Sequence, residues 1–225
     1  MMRRIERENT GLLHAGQDLV VAGYAGLAGT VKLAEAEKEK LSRWFSNEYM
    51  EEIAGCSRYL LREAAGDGRQ AAVPGTQTAL QDAENPAEDA PLCAISPEFW
   101  RACGAAEWEP AGEGGILTAI WNLTGAYETG VEFYLRQIPM RQETVEVCER
   151  LELNPYRLYS QGCVLLTADN GGQLVRTLAE KNIPAQVIGR VKKGIAREMI
   201  VQEGRGFLER PQPDEITKVI PDFFA

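Results

Sequence analysis

Short apolar runs alternate with longer amphipathic stretches along most of this chain, and the alternation predicts strands interleaved with helices. Residues 17–24, behind Gly16, are a short β-like run, and the run 163–168 is typical of a buried strand. Further strands are predicted at 131–135 and 186–191, in a short segment beginning at Trp108, and in a last hairpin of 199–202 and 206–208 around Gly204.

Apolar residues at three- and four-residue spacing predict the helices. Residues 30–62 are interpreted as two consecutive helices, because Ser46 and Asn47 favour a cap over a helix interior, and the second is expected over about 47–63. Ser96 followed by Pro97 is typical of a helix start. The remaining predicted helices are 116–127, with Ile116, Ile120, Leu123 and Tyr127 on one stripe, 141–151, with Val145, Cys148 and Leu151 on its inner face, and 172–181.

The domain organisation follows from one change of composition. Residues 64–92 are rich in Gly, Pro, Asn and Asp and poor in large apolar residues, so they are predicted to be a flexible insertion. The segments on either side of it continue the same pattern, so residues 16–225 are interpreted as a single domain behind an N-terminal arm of residues 1–15. Strands that alternate with helices predict a layered α/β sandwich.

The net charge of −9 limits the partners that can be expected. Non-specific nucleic-acid binding is excluded, because it requires a basic patch that replaces phosphate counterions. The charged start is not followed by an apolar signal core, and no apolar run is long enough to span a bilayer, so a cytoplasmic protein without membrane contact is expected. Five scattered cysteines and the single histidine, His14, predict buried thiols and no metal site.

The glycine pair Gly114–Gly115, with Gly112 just before it, is the first candidate for binding chemistry. A glycine pair that opens a helix leaves backbone N–H groups, including that of Ile116, at the positive end of the helix dipole, which suits a phosphate or another anion. Glu113 would repel such an anion unless a cation lay between them. The alternative is structural, because glycines also allow a tight turn before a helix.

Two other groups are weaker candidates. Gly26, Gly29 and Thr30 follow the same helix-start logic, but no lysine precedes Thr30 as a P-loop requires, so close packing of a strand on a helix is the alternative. Spaced carboxylates can bind Mg²⁺ or carry out acid–base chemistry, and otherwise they form a solvated acidic loop. The carboxylates in question are Glu107, Glu109 and Glu113.

Blocks of residues in a fixed order resemble the C-terminal domain of the AIR synthase-related proteins, which are hydrogenase-maturation-factor-like and PurM-like. The blocks are 16–30, 114–123, 138–144, 153–158 and 162–191. Together with the stretches between them they extend the resemblance over about residues 16–63 and 93–220. The resemblance implies an α+β fold, a layered α/β/α sandwich with a mixed sheet that is partly ferredoxin-like.

The resemblance also implies ATP-linked chemistry in full-length relatives, where an N-terminal domain holds Mg-ATP and forms the usual dimer. Residues 1–15 leave no room for that domain, so the chain alone is expected to bind no cofactor, and ATP with Mg²⁺ only together with a partner domain. Relatives have Asp-x-Thr-x-Gly-Gly at the glycine turn. Here Pro110 and Gly112 stand at the Asp and Thr positions, and Glu109 is the nearest substitute carboxylate.

Two functions are consistent with these observations. The first is a non-catalytic or partner-dependent binding module, associating as a homodimer, with a phosphate or anion site at the Gly112–Ile116 helix start. The second is a subunit of an ATP-dependent enzyme of ligase or phosphotransferase type, whose active site a separate N-terminal-type chain completes. In that case Gly114 and Gly115 would face the phosphates, with Glu109 or Glu113 near a metal.

Overall fold

The strands of this protein form one mixed seven-stranded sheet within residues 12–61 and 97–225, the part of the chain that the computed structural model describes. The predicted insertion at 64–92, most of the predicted N-terminal arm, and the proposed cap Ser96 lie outside the described residues. The strands are β1 (Asp18–Ala22), β2 (Glu107–Pro110), β3 (Gly130–Tyr134), β4 (Val164–Ala168), β5 (Ala185–Lys192), β6 (Arg197–Val201) and β7 (Gly204–Phe207).

The order of the strands across the sheet is β2-β4-β1-β5-β3-β6-β7. The β3–β6 pair is parallel, while the other neighbouring pairs are antiparallel. β1 lies between β4 and β5, which explains its unbroken apolar run: Leu19, Val20 and Val21 are all fully buried because helices cover both faces at this point. The predicted strands are confirmed, with shifts of one to a few residues at their ends.

The helices are α1 (Leu27–Ala36), α2 (Lys38–Leu41), α3 (Asn47–Gly55), α4 (Pro97–Ala102), α5 (Gly115–Ala126), α6 (Gln142–Leu151) and α7 (Gly171–Ala179). The predicted break at Ser46 is confirmed, since its hydroxyl accepts a hydrogen bond from the Tyr49 N–H at 3.2 Å. The expectation of two helices over 30–62 is wrong, because α1 starts earlier, α2 is separate, and a 3₁₀ turn (Cys56–Tyr59) follows α3. Within the described residues, no helix is both long and apolar enough to cross a membrane.

Helices lie on both faces of the sheet, so the α+β fold with a layered α/β/α arrangement and a mixed sheet is confirmed. α5 buries Ile116, Ile120 and Leu123 against one face. α4 and α7 cover the opposite face. A third cluster joins α1, α3 and α6 to residues 153–159 and to the C-terminal 3₁₀ turn (Glu215–Lys218).

The inner face of α6 differs from the predicted one. Val145 is 47% exposed, whereas Val147 is fully buried. The buried stripe runs through Thr144, Val147, Cys148 and Leu151, which is the spacing of a straight helix stripe. Thr144 can be buried there because its hydroxyl is 3.0 Å from that of Thr30. Since threonine is polar, the pattern of apolar residues in the sequence does not show that it belongs to the buried stripe.

Candidate functional site

The start of α5 is a left-handed turn that requires glycine. Gly114 and Gly115 have φ values of 76° and 67°, a region that side-chain-bearing residues rarely adopt. A Cβ on Gly115 would also lie 2.5 Å from the carbonyl oxygen of Tyr156. Gly112 has open space around it, and the Ile116 side chain is fully buried in the core, so Ile116 can serve a ligand only through its backbone.

A carboxylate from the far end of the chain occupies this helix start. The Gly114 N–H donates to Asp214 Oδ2 at 2.7 Å. The other oxygen of Asp214 accepts from the N–H groups of Tyr159, at 3.1 Å, and Ile216, at 2.9 Å. The Asp214 residue is only 1% exposed. The donor geometry therefore accommodates an anionic oxygen, and the oxygen present belongs to the protein itself.

Opposing effects act on the pKa of Asp214. Burial raises the pKa above the usual range of an aspartate, and the nearby Glu113 adds to this, whereas the three N–H donors act in the opposite direction. Sequence reasoning missed Asp214, because it lies in a short Pro-Asp-Glu segment far from the glycines in the chain. The only local signal is that aspartate caps the following turn. Whether the α5 start also binds an external anion stays a prediction.

The second candidate helix start binds the protein's own backbone and side chains. The Gly26 N–H donates to Ser160 Oγ at 2.8 Å, and the Gly29 N–H donates to the Tyr159 carbonyl at 2.9 Å. The Thr30 hydroxyl donates to the Gly26 carbonyl at 2.8 Å. A Cβ on Gly29 would lie 2.5 Å from Leu158 Cγ. The glycines thus permit close packing, but the packed element is the 154–160 segment rather than a strand.

Both glycine turns meet on that segment, which no motif indicated. The Ser160 N–H donates to the Gly112 carbonyl at 3.1 Å, while its hydroxyl accepts from the Gly26 N–H. The Tyr159 N–H donates to Asp214, and the Tyr159 carbonyl accepts from the Gly29 N–H of α1. The structure therefore brings the two predicted glycine sites to opposite sides of one short stretch of chain.

The three candidate carboxylates lie in different surroundings. Glu107 and Glu109 are buried on β2, and Glu113 is exposed in the turn. Within residues 12–61 and 97–225, no group of three or more potential ligands from His, Cys, Asp or Glu is arranged to hold a metal ion.

A cleft of about 420 Å³ lies beside Asp214. Its two cationic side chains are paired with carboxylates of the C-terminal segment. Arg157 is 3.1 Å from Glu209 and Lys218 is 2.6 Å from Glu215.

A second cavity, of about 360 Å³, has an ion pair at its edge. Arg141 donates to both oxygens of Glu143, at 2.7 and 3.1 Å, and lies over the ring of Tyr59 at 4.3 Å. Cys56 lies 3.5 Å from Glu143, and burial together with that carboxylate raises the pKa of its thiol to about 11. The described cysteines, Cys56, Cys103, Cys148 and Cys163, are buried free thiols, as predicted.

Comparison with known proteins identifies the fold and the domain. Residues 110–202 match the family model described as AIR synthase related protein, C-terminal domain. This stretch of the chain is therefore similar to the C-terminal domain of the AIR synthase-related proteins. This stretch begins at the end of β2 and includes the glycine turn, α5 and the 154–160 segment, so the candidate site overlaps the family match. No curated protein matches the chain by sequence.

Solved structures extend the likeness in fold to most of this chain. HypE from E. coli, a hydrogenase maturation protein, is 18% identical with a TM-score of 0.59, over 94% of this chain and 55% of HypE. A chain in the structure of the HypE–HypF complex is 13% identical with a TM-score of 0.56, over 88% of the present chain and 54% of the matched chain. Thiamine-monophosphate kinase from Stenotrophomonas maltophilia K279a is 15% identical with a TM-score of 0.50, over 83% and 50%. The chain thus spans about half the length of the structures it matches.

Proposed function

We propose that this AIR synthase-related chain is a partner-dependent binding module rather than a complete enzyme, with an anion-binding helix start at Gly112, Gly114, Gly115 and Ile116. The observation that carries the proposal is the 2.7 Å hydrogen bond from the Gly114 N–H to the buried Asp214 carboxylate. A helix start that accommodates one carboxylate oxygen offers a phosphate oxygen the same donor and the same favourable dipole.

Partner dependence is supported by the known structures of this fold. HypE has been solved in complex with HypF, so a protein with this fold binds another protein. For the present chain the proposed partner is a second copy or a separate N-terminal-type domain. No cofactor is proposed for the chain alone, and ATP with Mg²⁺ is proposed only when a partner domain is present.

The anion site is tested by removing the internal carboxylate. Asp214→Ala should lower the free energy of unfolding by about 3 kcal/mol, because three backbone donors lose a charge-assisted acceptor. Inorganic phosphate should then restore part of the loss by linkage, about 1.4 kcal/mol at ten times its dissociation constant. Wild-type protein should respond less, since Asp214 competes. Urea unfolding with and without phosphate, at constant ionic strength, measures both effects.

A matched control is available at α7. Asp18 also places a carboxylate on a glycine N–H at a helix start, that of Gly171 at 3.0 Å. Asp18→Ala frees one backbone N–H donor, whereas Asp214→Ala frees three, so its rescue by phosphate should be smaller than that of Asp214→Ala. Equal rescue of both variants would mean that phosphate acts on helix starts in general, and no rescue of Asp214→Ala would contradict the proposed site.

The alternative function is a subunit of an ATP-dependent enzyme completed by a separate N-terminal-type chain. It is favoured by structures of the same fold solved with nucleotides, HypE with ATP and the thiamine-monophosphate kinase AaThiL with AMPPCP and TMP. In this alternative Gly114 and Gly115 would face the phosphates, with Glu109 or Glu113 near a metal, and the chemistry would be of ligase or phosphotransferase type.

Turnover separates the two functions. Purified chain should release no phosphate from Mg-ATP above a no-protein blank, and sedimentation should show whether it self-associates. Addition of an N-terminal-type domain as a separate chain should give a complex without turnover if the binding module is correct. Turnover by that complex would establish the enzyme-subunit alternative, and turnover by the chain alone would contradict both.

A further inference from the structure

The two glycine helix starts are connected by a continuous path of hydrogen bonds. From α5, the Gly114 N–H reaches Asp214, and Asp214 accepts from the Tyr159 N–H. From Tyr159, the carbonyl accepts from the Gly29 N–H in α1 at 2.9 Å. The next residue, Ser160, accepts from the Gly26 N–H. Asp214 thus makes no hydrogen bond to α1 in the described structure, yet it binds the residue that does.

Steric contacts make this path stiff. A Cβ on Gly26 would lie 2.9 Å from the Pro155 carbonyl oxygen, and one on Gly29 would lie 2.5 Å from Leu158. On the other side, a Cβ on Gly115 would meet the Tyr156 carbonyl at 2.5 Å. Residues 155–159 are therefore clamped between the starts of two helices, and a movement on one side is transmitted to the other because packed backbone leaves no space to absorb it.

Asp214 anchors an otherwise exposed segment of chain. Residues 209–213 have no regular secondary structure and are exposed, whereas Asp214, Glu215 and Ile216 are all buried. Glu215 accepts from the Asn154 N–H at 3.1 Å, so it holds the other end of the same 154–160 segment. A protein that binds the exposed residues 209–213 can therefore displace the buried Asp214 that follows them.

We propose that Asp214 is a latch that couples the start of α1 to the start of α5 through Tyr159 and Ser160. While Asp214 accepts its three hydrogen bonds, both helix starts are held in place. When those hydrogen bonds break, both helix starts become more mobile. The role of the latch in binding rests on the proposed function. A partner that binds the 209–213 segment, or an anion that displaces Asp214, would change the turns at the starts of α1 and α5 together. The coupling itself needs neither ligand nor partner.

Amide hydrogen exchange followed by NMR on the full chain tests the latch. Asp214→Asn keeps the shape but replaces one acceptor oxygen with a donor, so either Gly114 or the Tyr159–Ile216 pair loses its acceptor. Exchange at the Gly26 and Gly29 amides should accelerate about tenfold or more, although Asp214 does not bind them. The Leu174 amide in α7, which donates to the Asn170 carbonyl on the opposite face of the sheet, reports global unfolding, so the Gly26 and Gly29 amides should accelerate by more than the Leu174 amide does.

Glu209→Gln is the matched control, since Glu209 lies in the same exposed stretch, pairs with Arg157 from the surface and has a side chain 74% exposed. It should leave the Gly26 and Gly29 amides unchanged. The latch is overturned if the Asp214→Asn effect is confined to Gly114, Tyr159 and Ile216, or if Glu209→Gln produces the same acceleration.

A reciprocal variant covers the case in which Asp214→Asn does not fold. Ser160→Ala removes the acceptor of the Gly26 N–H from the α1 side, and reciprocity requires faster exchange at the Gly114 amide. An unchanged Gly114 amide in that variant would also overturn the latch. These measurements use no phosphate and no partner, so their failure leaves the phosphate rescue of Asp214→Ala standing, and failure of that rescue leaves the coupling standing.

Discussion

At the scale of single residues, neighbouring glycines in the same turn have different physical roles. Gly115 combines a φ of 67° with a backbone carbonyl where a side chain would begin. A Cβ added to Gly112 would have no atom within 4 Å, its φ is not left-handed, and its carbonyl accepts from the Ser160 N–H. The glycine-rich pattern is therefore partly a steric requirement and partly open to substitution.

Alanine substitutions at the two positions should separate these roles. Gly115→Ala should lower the free energy of unfolding by about 3 kcal/mol or more, since it adds left-handed strain to a clash with backbone. Gly112→Ala should change it by no more than about 0.5 kcal/mol. Urea unfolding of both variants gives the comparison, and similar losses would mean that the turn is not built as described.

At the scale of elements, α6 shows how a helix can be located correctly and oriented wrongly. The apolar residues Val145, Cys148 and Leu151 are three residues apart, so this set drifts around the helix and brings in an exposed valine. The buried stripe contains Thr144, whose hydroxyl meets Thr30 of α1. A neighbouring helix decided the orientation, because it supplied the partner that lets a hydroxyl be buried.

The two valines of α6 provide a test on one element. Val147→Ala should cost about 2 kcal/mol, because it removes fully buried methyl groups and leaves a cavity. Val145→Ala should be within about 0.5 kcal/mol of wild type, since that side chain is about half exposed. If thermal or urea unfolding ranked the two losses in the opposite order, the assigned face of α6 would be incorrect.

At the scale of the whole molecule, segments distant in sequence form one arrangement around residues 154–160. α1 comes from the start of the chain, α5 from its middle and Asp214 from near its end, and all three hydrogen-bond to this segment or to each other. The family match covers α5 and the 154–160 segment but neither α1 nor Asp214. The candidate site is therefore a property of the assembled fold rather than of the matched stretch alone.

The sequence by itself determined the elements that depend on local pattern and steric rules. It located the buried strands β1 and β4, the cap at Ser46, the glycine turn at 114–115 and α5. These features depend on residues that are close together in the chain, because apolar periodicity, capping and left-handed turns are local properties. The order of its blocks was also sufficient to indicate the AIR synthase-related fold.

Only the tertiary structure decided what each helix start binds. Asp214 and Gly114 are remote in sequence and carry no shared motif, so their hydrogen bond exists only once the C-terminal segment folds back. The same holds for Ser160 at Gly26 and for the buried Thr144. A buried polar group forms its hydrogen bond with the segment that the tertiary fold brings next to it, and the local sequence does not indicate which segment that is.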